Sequence, residues 1–158
     1  MPHLNNGDLF PPLVIDSVQE GSVPVARLLA GSYGVVLMYR GSWCPYCNMQ
    51  LAAFSRAKAQ LDELGIKVVA LSVDDKATTE ALVEKHRINF PVGYRADTAK
   101  IAAATGAYVN ENPSYLQSTG FVLGPDGKVL TAVYSSGAIG RLVVDDVLGL
   151  VRYVKSKG

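Results

Sequence analysis

Two cysteines separated by two residues are the feature that most constrains the fold of this chain. The chain has 158 residues, and Cys44 and Cys47 are its only cysteines. The apolar run 35–39 precedes them and predicts a buried strand, while residues 48–64 have the pattern of a helix. The Cys-Pro-Tyr-Cys tetrad therefore falls where a strand passes into a helix. A C-x-x-C at such a junction is the usual placement of a redox-active pair.

The local geometry of this junction predicts unequal thiols. Pro45 fits the first position of the helix, where its fixed φ is suitable and no N–H is required. Cys44 then occupies the N-cap, with its sulfur near the unpaired amides and the positive end of the helix dipole. That environment lowers a thiol pKa from its usual value of about 8.5. Cys47 follows one turn later on the same face, at a spacing that permits a disulfide. We expect Cys44 to be an exposed nucleophile and Cys47 a less accessible resolving thiol.

Length and charge exclude several classes of function. A chain of this length predicts a single domain, residues 1–158, which buries roughly 70% of its unfolded surface without a disulfide. The net charge of +1 gives no sign of a nucleic-acid or anionic-membrane binder. The sequence shows no signal-peptide pattern and no membrane-spanning stretch, so we expect a cytoplasmic protein. His3 and His86 lie far from the cysteines in sequence, so we expect neither a metal site nor another cofactor.

Alternating strand and helix patterns predict an α/β fold. Strands followed by helices, then a β-hairpin and a last helix, indicate a central mixed sheet with helices on both faces. The Gly-Pro-Asp-Gly sequence at 124–127 is typical of the hairpin turn. The predicted helices are 23–30, 48–64, 76–86, 98–105 and 140–155, and the predicted strands are 34–39, 66–73, 91–94, 119–123 and 128–134.

Over nearly its whole length the chain resembles the AhpC/TSA (peroxiredoxin-like, redoxin) family of the thioredoxin-fold superfamily. The matching motifs occur in the family's order and spacing. They are Gly7-Asp8, Pro11-Pro12, Tyr39-Arg40-Gly41, Leu51 with Phe54, residues 65–74, residues 89–92 and residues 121–128. The resemblance implies a thioredoxin-like fold and a cysteine at the Cys44 position that reduces peroxides or disulfides. It also implies that an external thiol donor of the thioredoxin or glutathione type regenerates the protein, and that no cofactor is needed.

The chain departs from the family at three positions. Peroxiredoxins carry a Pro-x-x-x-Thr-x-x-Cys signature whose threonine binds the peroxide, whereas this chain has Leu37 and Gly41 at the proline and threonine positions. Ser42 is the nearest hydroxyl donor. The family arginine before the strand that contains Phe121 is also missing, unless Arg40 supplies its charge from another direction.

Four further residues have two interpretations each. Arg40 is either a solvated charge at a strand end or a cation that stabilises the Cys44 thiolate. Trp43 is expected to pack beside the sulfur, with substrate contact as the alternative. Tyr46 is expected to be exposed at the helix start, with or without a partner. Thr119 either pairs within the sheet, which we favour, or donates to a substrate oxygen. The pair 74–75 is expected to cap the next helix.

The sequence therefore predicts a thiol-dependent oxidoreductase that reduces hydroperoxides, disulfides or both through a Cys44–Cys47 disulfide. One alternative is a thioredoxin- or glutaredoxin-like disulfide reductase with negligible peroxidase activity. Another is a non-enzymatic redox switch, in which the disulfide controls a binding surface. The expected partners are a peroxide or disulfide substrate and a thiol donor protein, and self-association is possible. We expect no nucleic acid and no membrane as partners.

Overall fold

The computed structural model describes residues 2–157, which form a seven-stranded mixed sheet with helices on both faces. This architecture confirms the predicted fold class. In chain order the elements are β1 (Val14–Ser17), β2 (Gly21–Pro24), α1 (Val25–Leu28), β3 (Tyr33–Met38), α2 (Pro45–Arg56), α3 (Lys58–Glu63), β4 (Ile66–Leu71), α4 (Lys76–Lys85), β5 (Val92–Tyr94), α5 (Thr98–Thr105), β6 (Val109–Asn110), β7 (Tyr115–Leu116), β8 (Thr119–Leu123), β9 (Val129–Tyr134) and α6 (Val144–Lys157). The strand order is β2-β1-β5-β4-β3-β8-β9, and β6 and β7 form a separate small hairpin.

Strand β3 occupies the middle of the sheet, with β4 parallel on one side and β8 antiparallel on the other. Successive side chains of a strand point to opposite faces. Val35 and Leu37 therefore join one buried cluster, which includes side chains of α2, α3, α4 and α6. Val36 and Met38 join a second cluster on the other face, beneath α1 and α5. Burial on both faces explains why the strand is almost wholly apolar.

The carboxyl ends of β3 and β4 bring two loops to one edge of the sheet. In the parallel pair, Met38 lies opposite Leu71, the last residue of β4. In the antiparallel pair, Met38 lies opposite Thr119, the first residue of β8. Residues that follow β3 and β4 therefore meet residues that precede β8. The cysteine pair lies at this edge.

Three predicted helices differ from the structure. The predicted helix 23–30 begins as strand β2, whose Val23 is buried while its neighbours are exposed; Pro24 then caps the short helix α1. The predicted helix 48–64 is two helices, because Ala57 (φ −89°, ψ 11°) interrupts the first. The last helix begins at Val144 rather than at residue 140. No helix within residues 2–157 is long and apolar enough to cross a membrane.

Candidate active site

A tight turn places Cys44 at the start of helix α2. The Cys44 N–H donates to the carbonyl oxygen of Gly41 at 3.1 Å, which closes the turn. Cys44 has extended backbone angles (φ −91°, ψ 111°) and is the N-cap, and Pro45 is the first helical residue. The Cys44 sulfur accepts the backbone N–H of Cys47 at 3.3 Å. The predicted capping geometry is thus confirmed.

The two sulfur atoms lie 2.6 Å apart, and the Cys47 thiol donates its hydrogen bond to Cys44. A disulfide bond is about 2.05 Å long, and both cysteines are free thiols. A thiolate on Cys44 therefore receives one hydrogen bond from the Cys47 side chain and one from the Cys47 backbone. Both contacts favour the charged form of Cys44.

Neither cysteine has accessible surface. The prediction of an exposed Cys44 is therefore wrong. Cys44 and Cys47 belong to the buried cluster that also contains Tyr39 and Leu51, and the Arg40 guanidinium lies against the Cys44 sulfur. An N-cap position gives a sulfur access to helix amides, but it does not determine whether neighbouring side chains cover that sulfur. A substrate reaches Cys44 only when these side chains move.

Arg40 is the first of two arginines at the thiol pair. Its Nη1 lies 3.9 Å from the Cys44 sulfur, its Nε donates to Gln117 Oε1 at 3.0 Å, and its Nη2 donates to the Tyr115 hydroxyl at 3.1 Å. The guanidinium also lies 4.9 Å from the centre of the Trp43 ring and 5.3 Å from that of Tyr115. Burial lowers the pKa of Arg40, but the hydrogen bonds to Tyr115 and Cys44 outweigh burial and raise it. These contacts favour the interpretation of Arg40 as a thiolate-stabilising cation.

Arg141 is the second arginine, and no sequence pattern singles it out. Its Nη2 lies 3.7 Å from the Cys47 sulfur, and its Nη1 donates to Gln50 Oε1 at 2.9 Å. The Gln50 amide in turn donates to the carbonyl oxygen of Leu142 at 2.7 Å. Gln50 thus ties the loop before α6 to α2 and holds the second guanidinium beside the thiols.

These surroundings shift the two thiol pKa values in opposite directions. Burial raises the pKa of Cys44, but the hydrogen bonds from Cys47 and Arg40 and the charge of Arg141 together lower it below its ordinary value. Burial raises the pKa of Cys47, and its donation to Cys44 raises it further; the Arg40 backbone N–H and Arg141 oppose this only in part. The structure therefore has one thiol suited to ionise and one suited to keep its proton. The N-cap argument predicts the first of these, the lowered pKa of Cys44.

The other predicted residues take different positions. Ser42 takes part through its backbone, because its N–H donates to Asp74 Oδ2 at 2.8 Å. Thr119 is buried in β8 and donates to the carbonyl oxygen of Gln117 at 3.1 Å, which agrees with the sheet interpretation. Asp75 caps α4, as predicted. Asp74 does not cap that helix, because its carboxylate is turned towards the turn before Cys44.

Exposed apolar side chains surround the buried thiols. Trp43 is 54% exposed, Tyr46 49% and Met49 67%, although the last two belong to the helix that carries Cys47. Tyr46 and Met49 line one wall of a cleft of about 320 Å³, and Val143 and Arg141 line the other. Tyr46 is thus exposed, as predicted. The cleft offers an apolar contact surface next to the second arginine.

The described residues contain no cluster suited to a metal ion. Within residues 2–157, no group of three or more His, Cys, Asp and Glu side chains could hold one. The site is built instead from thiols, guanidinium groups and amides. Its chemistry is that of a sulfur nucleophile.

The register of β3 and β8 predicts one contact that the cysteine motif does not, the contact between Arg40 and Gln117. Met38 pairs with Thr119 in the antiparallel strands, and two further steps along this register place Arg40 opposite Gln117. Both strands are visible in the sequence, so this pair follows from aligning them. Arg141 has no comparable signal, because it lies in a loop between β9 and α6.

Fold and site together define a thioredoxin-fold protein with a cysteine pair at a strand–helix junction. The AhpC/TSA family model matches residues 7–132, and the chain belongs to that family. Family membership makes it a thiol-dependent oxidoreductase of the peroxiredoxin type.

Named relatives support the same assignment. A peroxiredoxin of Treponema denticola is 29% identical over 95% of this chain and 72% of its own length. The 1-Cys peroxiredoxin A of Oryza sativa is 27% identical over 89% of this chain and 69% of its own length. Among solved structures, peroxidoxin BcpB of Mycobacterium tuberculosis superimposes with a TM-score of 0.84 at 21% identity, covering 96% of this chain and 99% of its own. A cysteine-to-serine mutant of peroxiredoxin 6 of Arenicola marina gives the same TM-score at 20% identity, covering 96% of this chain and 74% of its own.

Proposed function

We propose that the chain is a dithiol peroxiredoxin-like reductase in which Cys44 reacts and Cys47 resolves. The Cys44 thiolate attacks the terminal oxygen of a hydroperoxide ROOH. The S–O bond forms, the O–O bond breaks, and the leaving alkoxide takes a proton to become ROH. Sulfur is oxidised to the sulfenic acid, and the peroxide is reduced.

Cys47 then closes the cycle within the same chain. Its sulfur attacks the Cys44 sulfenic acid, the Cys44–Cys47 disulfide forms, and the hydroxyl leaves as water with the Cys47 proton. Two thiol groups of an external donor reduce this disulfide by exchange, and the donor leaves oxidised. A sulfur separation of 2.6 Å means that resolution requires little movement. Cys47 also keeps its proton until that step, because its pKa is raised.

The single observation that carries this proposal is the geometry of the thiol pair: the two sulfur atoms lie 2.6 Å apart, and the Cys44 sulfur accepts hydrogen bonds from both the Cys47 thiol and the Cys47 backbone N–H. Arg40, Arg141 and the Cys47 donors favour the charge on Cys44, while burial and donation favour the neutral form of Cys47. Such a pair needs no further cysteine and no cofactor. Pro45 contributes by starting the helix whose amides face Cys44.

Gly41 limits the expected peroxidase rate. It lies where the family signature has a threonine, and a glycine has no hydroxyl with which to align a peroxide. Loss of one preorganised donor typically costs on the order of 100-fold or more in rate. We therefore expect slow peroxide reduction beside ordinary thiol–disulfide exchange. This favours the second candidate function, a disulfide reductase with little peroxidase activity.

The rates of two reactions of reduced Cys44 separate these functions. One is oxidation by hydrogen peroxide, and the other is exchange with a linear model disulfide such as oxidised glutathione. Peroxide reduction that turns over with a thiol donor supports the first function. Exchange without peroxide turnover supports the second, and a single stoichiometric oxidation without turnover supports a redox switch. Cys44→Ser is the control, because it should abolish both reactions.

The donor is proposed to be a thiol of the thioredoxin or glutathione type, as found in a reducing compartment such as the cytosol. The apolar side chains around the thiols, Trp43, Tyr46, Met49 and Val143, offer a contact surface for such a donor. We include no nucleic acid and no metal among the proposed partners.

A further inference from the structure

We propose that Asp74 is a positioning residue that fixes the turn carrying Trp43 and Cys44. The inference rests on the proposed function, since placement of Cys44 matters only if Cys44 reacts. Asp74 follows β4 and lies at the sheet edge where β3 also ends. Its carboxylate oxygen Oδ2 accepts the backbone N–H of Ser42 at 2.8 Å, two residues before the nucleophile.

The peptide groups of Ser42 are held from two sides. Asp74 binds the N–H from the strand side, and the Asn48 side-chain amide donates to the Ser42 carbonyl oxygen at 2.9 Å from helix α2. The Cys44 N–H closes the turn on Gly41. A turn that is hydrogen-bonded at both peptide groups and closed on itself has little freedom to change its backbone angles.

Asp74 is itself held in place. Its N–H donates to Ser72 Oγ at 3.2 Å, and its carbonyl oxygen accepts the Arg95 N–H at 2.8 Å. Within residues 2–157, the one ion pair joins Lys58 and Asp62, so Asp74 has no cation to neutralise there. Burial raises the pKa of Asp74, and the Ser42 N–H opposes that rise. A partly buried carboxylate turned towards a backbone N–H is suited to hold that group.

The turn also sets the position of the side chains around Cys44. The Trp43 indole lies over Gly41 so closely that a Cβ there would be 2.2 Å from the indole nitrogen Nε1. The same indole contacts the Arg40 guanidinium, which in turn lies against the Cys44 sulfur. Release of the Ser42 N–H would therefore displace the nucleophile, the indole and the cation together. A displacement of about 1 Å can cost on the order of 100-fold in rate.

Three variants test this inference. Asp74→Ala removes the acceptor, and Asp74→Asn keeps an oxygen that can accept the Ser42 N–H. Asp75→Ala is the matched control, because it deletes a neighbouring aspartate and the cap of α4 but leaves Ser42 alone. The readouts are the alkylation rate of Cys44 by iodoacetamide, its oxidation rate by hydrogen peroxide, and the fluorescence of Trp43, the only tryptophan.

We expect Asp74→Ala to slow both reactions by about tenfold or more and to change the Trp43 emission. Asp74→Asn should restore the emission and bring both rates to within about threefold of wild type. Asp75→Ala should lower stability but leave the rates and the emission unchanged. If Asp74→Ala behaves like Asp75→Ala, or if Asp74→Asn fails to restore the rates, the inference is wrong.

Failure of the proposed function would look different. Wild-type protein would then show neither peroxide nor disulfide turnover, while alkylation and Trp43 emission would still report whether Asp74 holds the turn. If Asp74→Ala does not fold, Asn48→Ala removes the opposite hydrogen bond to Ser42 and should slow the same reactions. Normal rates in that variant would also count against the inference.

Discussion

Replacement of Arg40 by methionine should make the Cys44 thiolate much harder to form. Methionine fills a similar volume but carries no charge and donates no hydrogen bond. The nearest guanidinium nitrogen of Arg40 lies 3.9 Å from the Cys44 sulfur. Its loss removes one of the groups that lower the pKa of Cys44.

Coulomb's law bounds the size of this effect. Two unit charges at this distance attract by about 1 kcal/mol in bulk water and by about 4 kcal/mol at an effective dielectric constant of about 20. Arg40 is only half-buried, so solvent screening places the expected loss near the lower bound, at about 1–2 kcal/mol. Since 1.4 kcal/mol is tenfold, the thiolate population at mildly acidic pH should fall by about 5- to 30-fold.

The assay is the alkylation rate of Cys44 by iodoacetamide as a function of pH. Both proteins carry Cys47→Ser, so that only one thiol reacts. The Arg40→Met profile should shift to higher pH, because the pKa of Cys44 rises. Arg56→Met is the matched control, since it removes the same charge from an exposed position at the far end of α2 and should leave the profile unchanged. If Arg40→Met changes the alkylation rate at mildly acidic pH by less than about twofold, the electrostatic argument is refuted.

Three other predictions follow from the same site. Reduced wild-type protein should take up one equivalent of iodoacetamide at Cys44 well before Cys47, as peptide mapping can show; earlier labelling of Cys47 would reverse their roles. The free energy of unfolding of the reduced protein, measured in urea, should rise as pH increases from the lowered folded pKa of Cys44 to about 8.5, and this rise should be absent in Cys44→Ser. It should fall above that pH, because unfolded Cys47 ionises while folded Cys47 keeps its proton; a steady rise would contradict the raised pKa of Cys47. Burial raises the pKa of Tyr39 to about 12, although Ser72 and Thr79 near its hydroxyl oppose that rise, and the hydroxyl makes no hydrogen bond of good geometry within residues 2–157. Tyr39→Phe should therefore cost less than about 1 kcal/mol of stability or increase it, and a loss above about 2 kcal/mol in urea unfolding would show that the hydroxyl is paired.

The sheet and its two covering layers could be predicted because their sequence signals are local. The sequence of β3 is apolar on both faces of the strand, and the glycine and proline residues at 124–127 are typical of a hairpin turn. The short strand β2 was missed because four residues do not separate a strand pattern from a helix pattern. Residues 21–24 form a strand because they pair with β1 in the sheet. This pairing is not visible in the sequence of either segment alone.

The cysteine pair could be predicted for a similar reason. Capping and the helix dipole act within one turn, so Pro45 and the spacing of the cysteines suffice to predict a lowered pKa for Cys44. Access to Cys44 could not be predicted. It depends on where Arg40 is held by Tyr115 and Gln117, residues about 75 positions away along the chain. Arg141 was missed because it reaches the thiols through a loop with no pattern of its own.

The guanidinium groups of Arg40 and Arg141, which lie beside the two thiols, have a consequence for the redox balance of the site. In the reduced protein, Arg40 and Arg141 both have a favourable electrostatic interaction with the negative charge on Cys44. A Cys44–Cys47 disulfide carries no charge, so both cations lose that interaction on oxidation. A disulfide whose reduced form is stabilised in this way is a stronger oxidant, and a thiolate of low pKa is a better leaving group. The same charge acts on Cys44 whatever the substrate, whereas alignment of a peroxide needs the hydroxyl that Gly41 lacks. The arginines therefore activate Cys44 towards both substrates, but by stabilising the reduced form they also make the pair a weaker reductant of disulfides. For this reason, the ratio of the two rates is more informative than either rate alone.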